Sequence, residues 1–545
     1  MTPTDSMTMP LATFTVHGEI LNARSIALEL GLDALTPLAA VLEAGWRRWS
    51  VELFARLDGV FGLVLNEGAS TVLYRDPSGL SQLYWRQSAG HEPRVATCLR
   101  ALFDTDDMPP RLCRHALHEY LRFLDIAAPR TIFEGVHAVE AGRWVRIPAQ
   151  GAVESGQPRR TDAEPPAEHL SEAVNELEQR LQTSIRTRLA DSTRAAAFLS
   201  GGIDSSLICA LTARFRPDLT SVTVGFDGNA FDETPMAQHI AAHLGLKHQV
   251  LRFTHQAVLS ALDQLAAQMD QPMADPAAPA TLLAFDACRE SFDAVLDGTG
   301  ADESVGALPP RHVRVAVSYG SAVPAEMRRT LVKLMRRIPR VADYSPILDF
   351  EHPADTLSRW RGFTRTEIEE LCAEPVSLAG TSFYRTFAAF PRHAHFERLS
   401  ALQDVMPADR LNQATRISGL RVRFPFADRA VDAYLRGLPI EWRHAAGQPK
   451  RILRVLLGRH VPDHLWDMPK RGFTFPLADF LAADNFALVR RHLHSGLWQQ
   501  RGLLRPDIVR RHADAFIAGD RRPAMRIWAL VMLSSWLEHH PTMSP

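Results

Sequence analysis

Between two apolar runs lies a turn carrying two glycines, three hydroxyls and an acid: Ser200-Gly201-Gly202-Ile203-Asp204-Ser205-Ser206. The run before it, Ala195-Ala196-Ala197-Phe198-Leu199, is short, continuous and apolar, the pattern of a strand buried in a parallel sheet. Leu207-Ile208-Cys209-Ala210-Leu211 after it continues as a buried helix. Strand, turn and helix in that order point to an α/β fold. The glycines let the backbone approach a polyanion without Cβ interference, so N–H groups of the turn and the helix N-terminus can converge on phosphate oxygens. Ser200, Ser205 and Ser206 add hydroxyl donors, and Asp204 can hold Mg2+ between phosphates. The spacing is neither that of a Walker loop, which ends in Lys-Ser/Thr, nor that of a dinucleotide fingerprint. A serine-rich turn without a ligand is the plainer alternative; the agreement of strand, loop, acid and helix favours a pyrophosphate loop.

A chain of 545 residues, 46% of them hydrophobic, can bury more than one core and should hold at least two domains. Its 61 basic and 62 acidic side chains give no global basic balance to attract nucleic acid or an anionic membrane. The five cysteines, Cys98, Cys113, Cys209, Cys288 and Cys372, form no CxxC pair, which argues against a disulfide scaffold or structural zinc and fits a reducing cytosol. Residues 1–10 lack the basic and apolar blocks of an export signal, and no apolar run reaches membrane-spanning length. The stretch 149–169, rich in Gly, Pro and charge, reads as a linker. It separates a sheet-rich domain over 1–148, with strands expected at Phe14–Gly18, Val60–Leu65 and Thr71–Tyr74, from a domain over 170–545.

Further segments repeat the first pattern. Val222-Thr223-Val224-Gly225-Phe226 reads as a second strand, followed by Asp232-Glu233 and a helix. Ala294-Val295-Leu296 precedes a second glycine-rich loop, Asp297-Gly298-Thr299-Gly300-Ala301-Asp302-Glu303-Ser304-Val305-Gly306. Arg423-Phe424-Pro425-Phe426, Lys450-Arg451-Ile452-Leu453-Arg454 and Pro469-Lys470-Arg471-Gly472-Phe473 follow in order. With Asp275-Pro276, these segments resemble the synthetase domain of the asparagine synthetase family, in which a carboxylate is activated as an acyl-adenylate. The resemblance implies an adenine-nucleotide hydrolase-like parallel sheet, with ATP and Mg2+ as cofactors. It places Asp204 and Asp302 on the metal, Lys470 on phosphate, Leu199, Ser200, Gly201, Gly202, Ser205, Ser206, Gly298 and Gly300 around the nucleotide, and the backbone of Val224 against adenine.

The N-terminal segments Arg56–Gly62, Tyr74–Leu80 and Pro129–Val136 resemble the family's four-layer, Ntn-type glutaminase sandwich. That domain attacks glutamine with an N-terminal cysteine. Here position 2 is Thr2 and the first cysteine is Cys98. The expectation is therefore a domain without glutaminase activity, and an amine taken from the substrate itself. β-Lactam synthetases and the lasso peptide macrolactam synthetases work in this way. Thr299 stands where the family carries a glutamate or tyrosine, and Arg421 where it carries an acid before Arg423, so a general base is missing from both positions. A peptide α-amine, with a pKa of about 8, needs little help to deprotonate. The leading expectation is macrolactam closure on a ribosomal peptide, with a leader-peptide protease as partner. A β-lactam synthetase acting on a small amino-carboxylate, an ammonia-using asparagine synthetase and a nucleotide-binding scaffold are the alternatives. His239 and His243, four apart, lack a third ligand and carry no metal expectation. The run Arg328, Arg329, Lys333, Arg336, Arg337 and Arg340, interleaved with apolar residues, reads as an amphipathic helix whose basic face meets solvent, with a docking surface as the lesser alternative.

Overall fold

A computed structural model describes residues 12–88, 91–103, 110–159, 167–225, 233–342, 344–358, 362–372, 374, 376–391, 394–405, 409–445, 448–467 and 475–540. Thr2, Asp232 and the Pro469–Phe473 segment with Lys470 lie outside the described residues. The chain divides into two units: residues 1–106, 135–165 and 427–430 form the first, and the remainder forms the second.

In the first unit, β1 (Thr13–Ile20), β2 (Gly59–Glu67), β3 (Ser70–Arg75), β7 (Trp144–Pro148) and β8 (Glu154–Gly156) form an antiparallel sheet in that order. Short strands β4 (Tyr84–Arg86), β5 (Arg94–Ala96) and β6 (His137–Ala138) form a second sheet in the order β5-β4-β6. Period-two alternation sends Leu63, Leu65, Val72 and Tyr74 toward α1 (Ala23–Glu29) and α2 (Leu38–Trp49), where Val41, Leu42 and Trp46 meet them. The intervening Val64 and Leu73 face Leu83 and Trp85 of the second sheet region. The unit thus packs a helix layer on one sheet and that sheet on a second one. The strand β8 falls inside the stretch expected to be linker. It carries no apolar period because it is an edge strand, and Gly156 lets it cross the indole of Trp144, where a Cβ would sit 2.5 Å from the ring.

Residues 107–134, expected to belong with the first domain, pack in the second unit. Their helix α3 (Arg114–Phe123) is buried from Ala116 onward, so it needs a partner on every side. Tyr120 Oη donates to Ala529 O at 2.8 Å, and Gly362 N and Phe363 N donate to the carbonyls of Arg122 and Leu121 at 2.9 and 2.8 Å.

The second unit is built on a parallel sheet ordered β11 (Lys247–Arg252), β10 (Thr220–Gly225), β9 (Ala195–Phe198), β12 (Ala294–Leu296) and β13 (Val422–Arg423). Helices α4 (Leu170–Arg188) and α5 (Ile203–Ala213), with the helix Arg451–Leu457, share one core with the central strands. It contains Leu177, Leu181, Ile185, Leu207, Leu211, Ile452, Leu453 and Leu456. Along the chain α6 (Thr234–His243), α7 (His255–Gln268), α8 (Ala278–Arg289), α9 (Ala301–Val305), α10 (Arg311–Ser321) and α11 (Ala325–Met335) follow. Among the described residues no helix is long and apolar enough to cross a membrane.

The basic helix meets solvent as expected at Lys333 and Arg337 but departs from the expectation at Arg328. Arg328 of α11 is buried, donating to the carbonyls of Gly320, Val323 and Phe350 at 3.0, 3.2 and 2.9 Å, while Met327, Leu331 and Leu334 are exposed. A guanidinium carries enough donors to satisfy several carbonyls at once, so a buried arginine ties the helix down where apolar packing was expected.

Candidate active site

The sheet order reverses between β9 and β12, and in open α/β sheets the crevice at the carboxyl ends of such strands is where ligands sit. Both glycine-rich loops leave the sheet there. β9 runs into Leu199–Gly202 and α5; β12 runs into Asp297–Gly300 and α9. The ladder between β9 and β10 stops at Val222–Phe198, with Leu199 N donating to Val222 O at 2.8 Å, while β10 continues through Val224 and Gly225 against β11. The Val224 backbone therefore lies beyond the end of β9, as a backbone edge reading a base requires.

Gly201 has φ of +74°, a region that favours glycine. The hydroxyls of Ser200 and Ser205 tie the loop together: Ser205 Oγ lies 3.1 Å from Ser200 N and 3.1 Å from Ser200 Oγ. Ser206 is fully buried, its N donates to Gly202 O at 3.1 Å, and its hydroxyl has no hydrogen-bond partner within the protein. Gly298 brings the two loops into contact. A Cβ there would lie 3.1 Å from Ser205 N and 3.2 Å from the Asp204 side chain. Gly300, at φ +103°, starts α9 and places Asp302 in its first turn, and Glu303 Oε2 accepts from Gly300 N at 3.1 Å.

Asp204 and Asp302 meet on a third residue, Lys450. Its Nζ lies 2.5 Å from Asp204 Oδ2 and 2.9 Å from Asp302 Oδ1. Lys450 is buried and sits at φ +59° before the helix Arg451–Leu457, an uncommon conformation for a residue with a side chain. Burial alone would depress its ammonium; the two carboxylates overcome this and hold its pKa well above the usual range. Two hard oxygen ligands converging on one cationic point suit a Mg2+ ion, which takes one or two carboxylates and fills its shell with water and phosphate oxygens. Among the described residues no cluster of three ligating side chains exists, so an all-protein metal cage is absent there. His243 Nε2 instead contacts His460 O at 3.0 Å.

A polar chain ties down α9, the helix that carries Asp302. Ser304 Oγ donates to Asp432 Oδ1 at 2.8 Å, Arg436 Nε donates to the same oxygen at 2.7 Å, and Arg436 Nη1 donates to Asp404 Oδ2 at 2.9 Å. Burial pushes the Asp404 carboxyl up to about 6, against the pull of Arg436.

Two expected absences of a base read differently. Thr299 Oγ1 donates to Asp297 Oδ1 at 2.5 Å, closing a tight turn inside the second loop. Arg421 precedes β13 and pairs with Asp191, which precedes β9, so this pair sits at the opposite end of the strands from the two loops. Arg421 thus carries no argument about a general base; with β13 only two residues long, the sequence offered no way to place it. The buried thiols of Cys209, Cys288 and Cys372 are pushed up to about 12, which leaves them thiols rather than nucleophiles. The sequence marks Lys450 only as part of a family-like segment and gives it no role: it adjoins an ordinary amphipathic helix and is 246 positions from Asp204.

A parallel sheet with a glycine-serine loop, paired acids and a buried lysine at its switch point has the layout of a nucleotide-binding site. Residues 176–538 match the asparagine synthase family, and residues 6–157 match a glutamine amidotransferase domain. The chain belongs to the asparagine synthase family, a family of ATP-dependent, AMP-forming carbon–nitrogen ligases. It is 26% identical over 545 residues to a putative glutamine-hydrolysing asparagine synthetase of Mycobacterium tuberculosis H37Rv, covering 95% of this chain and 83% of that one. Asparagine synthetase 1 of Bacillus subtilis strain 168 is 24% identical over 537 residues, covering 95% and 84%. Amidase chry2 of Gibberella zeae is 22% identical over 497 residues, covering 80% and 72%.

Proposed function

We propose that the chain closes an amide within a single substrate, and that this substrate is a ribosomal peptide whose side-chain carboxylate becomes joined to its own N-terminal amine. The carboxylate attacks the α-phosphorus of ATP and pyrophosphate leaves; the amine then attacks the acyl carbon, loses a proton, and AMP leaves. The observation that carries the reading is in the first unit. Residues 6–157 match the amidotransferase domain and hold two cysteines, both half-buried: Cys98 just after a short strand and Cys113 at the start of α3, neither at the chain's N-terminal end where the nucleophile of such a domain stands. On this reading the amine comes with the substrate.

In the second unit the loop Ser200–Ser206 cradles the phosphates, while Asp204 and Asp302 hold Mg2+. When bound, the ion supplies positive charge to the departing pyrophosphate. Lys450 keeps both acids aimed at one point, and Lys470 contacts phosphate as charge develops on it. A fixed cation in a closed site does this better than one in water. Holding carboxylate and amine in one cleft replaces a bimolecular encounter by an effectively unimolecular one, the main source of acceleration. The leader-peptide protease is a proposed partner because it exposes the reacting amine. The names of the relatives favour a second reading, in which ammonia is the amine.

The test is reconstitution with ATP, Mg2+, a candidate precursor peptide and its protease, read by mass spectrometry. A product lighter than the linear core by one water is expected; linear core alone would overturn the reading.

A further inference from the structure

The inner face of α11 carries buried Val332 beside buried Arg328, whose guanidinium satisfies three carbonyls and lies 4.0 Å over the ring of Phe350. Just past the helix, Arg336 donates to Asp349 and Thr364 at 2.9 and 3.1 Å. Its outer face carries Met327, Leu331 and Leu334, which are 64%, 41% and 55% exposed, and Ile338 follows at 46%. The spacing is four, three and four residues. At about 100° per residue the three helical positions fall within about 60° of one another, a narrow seam of coiled-coil type. A membrane-surface helix shows a much wider apolar sector.

The charge beside the seam is one-sided. Lys333 and Arg337 are exposed, and the one acid of the helix, Glu326, is engaged by Arg329 at 2.9 Å. A second copy of this seam would bring like charges together. An acidic partner would not.

We propose that α11 is a docking site for an amphipathic helix of another protein, one with an apolar seam of heptad spacing flanked by Asp or Glu. Apolar side chains of the partner would pack between Met327, Leu331 and Leu334, and its acids would face Lys333 and Arg337. The arrangement is the helix-on-helix mode of recognition, with flanking charge choosing the partner. Because α11 is anchored by buried guanidinium contacts, the seam is presented without ordering a free segment first.

The probe is a labelled synthetic helix of three heptads with Leu at the core positions and Glu at the flanks, titrated with the full chain and followed by fluorescence anisotropy. Its flanking acids keep it from pairing with itself. Binding that weakens at least about tenfold in Leu331→Ser/Leu334→Ser, weakens in Lys333→Glu/Arg337→Glu, and falls with added salt is expected. These side chains are exposed, so melting curves of the variants should match the parent. The same peptide with Lys at the flanks should not bind. No binding of the acidic peptide, or equal binding of both peptides, overturns the proposal. So does seam-dependent adsorption to phosphatidylserine vesicles or seam-dependent self-association in sedimentation, each in place of peptide binding.

Discussion

Replacing Lys450 by methionine keeps the length of the side chain and removes the charge that two carboxylates share. Asp204 Oδ2 and Asp302 Oδ1 touch the same nitrogen, at 2.5 and 2.9 Å, so they lie less than about 6 Å apart. Without the ammonium they repel by about 3 kcal/mol at an effective dielectric constant of about 20. Loss of one partner from a buried pair costs about 3–5 kcal/mol in general, and Asp302 is 38% exposed, which argues for the low end. Lys450→Met should therefore lower the melting temperature of the second unit by about 5 °C, measured by scanning calorimetry without ligand. Added MgCl2 should restore more stability to the variant than to the parent, because it supplies the missing positive charge to the native state alone. The double variant Lys450→Met/Asp302→Asn should recover most of the loss, since the repulsion disappears with the second charge. A single variant melting within about 1 °C of the parent, or a double variant that melts lower still, would refute the reasoning.

Three further expectations follow from the same geometry. Asp302→Ala should lower turnover about 10²-fold or more with a smaller loss of melting temperature than Lys450→Met, because Asp302 is partly exposed and Lys450 keeps Asp204 as a partner; near-normal turnover at saturating Mg2+ would show that it does not serve the reaction. Asp404 is raised to about 6 from 3.8, so the folded chain holds its proton more tightly than the unfolded chain. Its contribution is greatest below about pH 4 and falls by up to about 3 kcal/mol as pH rises through about 6. Chemical denaturation of Asp404→Asn across this range should show that much less decline than the parent, and parallel profiles would contradict the assignment. Incubation with glutamine, assayed by coupled glutamate detection, should yield no glutamate above a no-enzyme control; glutamate release by the parent would overturn the reading of the first unit.

How much of this was legible in the sequence follows from what each signal measures. Ala195–Phe198 and Ala294–Leu296 are continuous apolar strands followed by glycine-rich loops, so strand, loop and acid could all be read locally, and the structure brings Asp204 and Asp302 together as expected. Lys450 stood in a family-like segment but without a role, because that role depends on two distant carboxylates and on a left-handed backbone at a residue that is not glycine. Arg421 was misread because a two-residue strand gives no periodicity to say which end of the sheet it occupies. The edge strand β8 escaped for a related reason, having no buried face to pattern. In α11 the basic face was visible and Lys333 and Arg337 do meet solvent, but a hydropathy reading places every arginine outside, and the three carbonyl acceptors that bury Arg328 lie partly on distant residues.

The central claim is that the new amide takes its nitrogen from the substrate. The direct measurement is to run the reaction with ATP in the presence of glutamine labelled isotopically at its amide nitrogen, and separately with labelled ammonium, and to weigh the product. The account predicts a product lighter than the substrate by one water and carrying no label from either source. A product that gains labelled nitrogen would contradict it and establish ammonia as the amine.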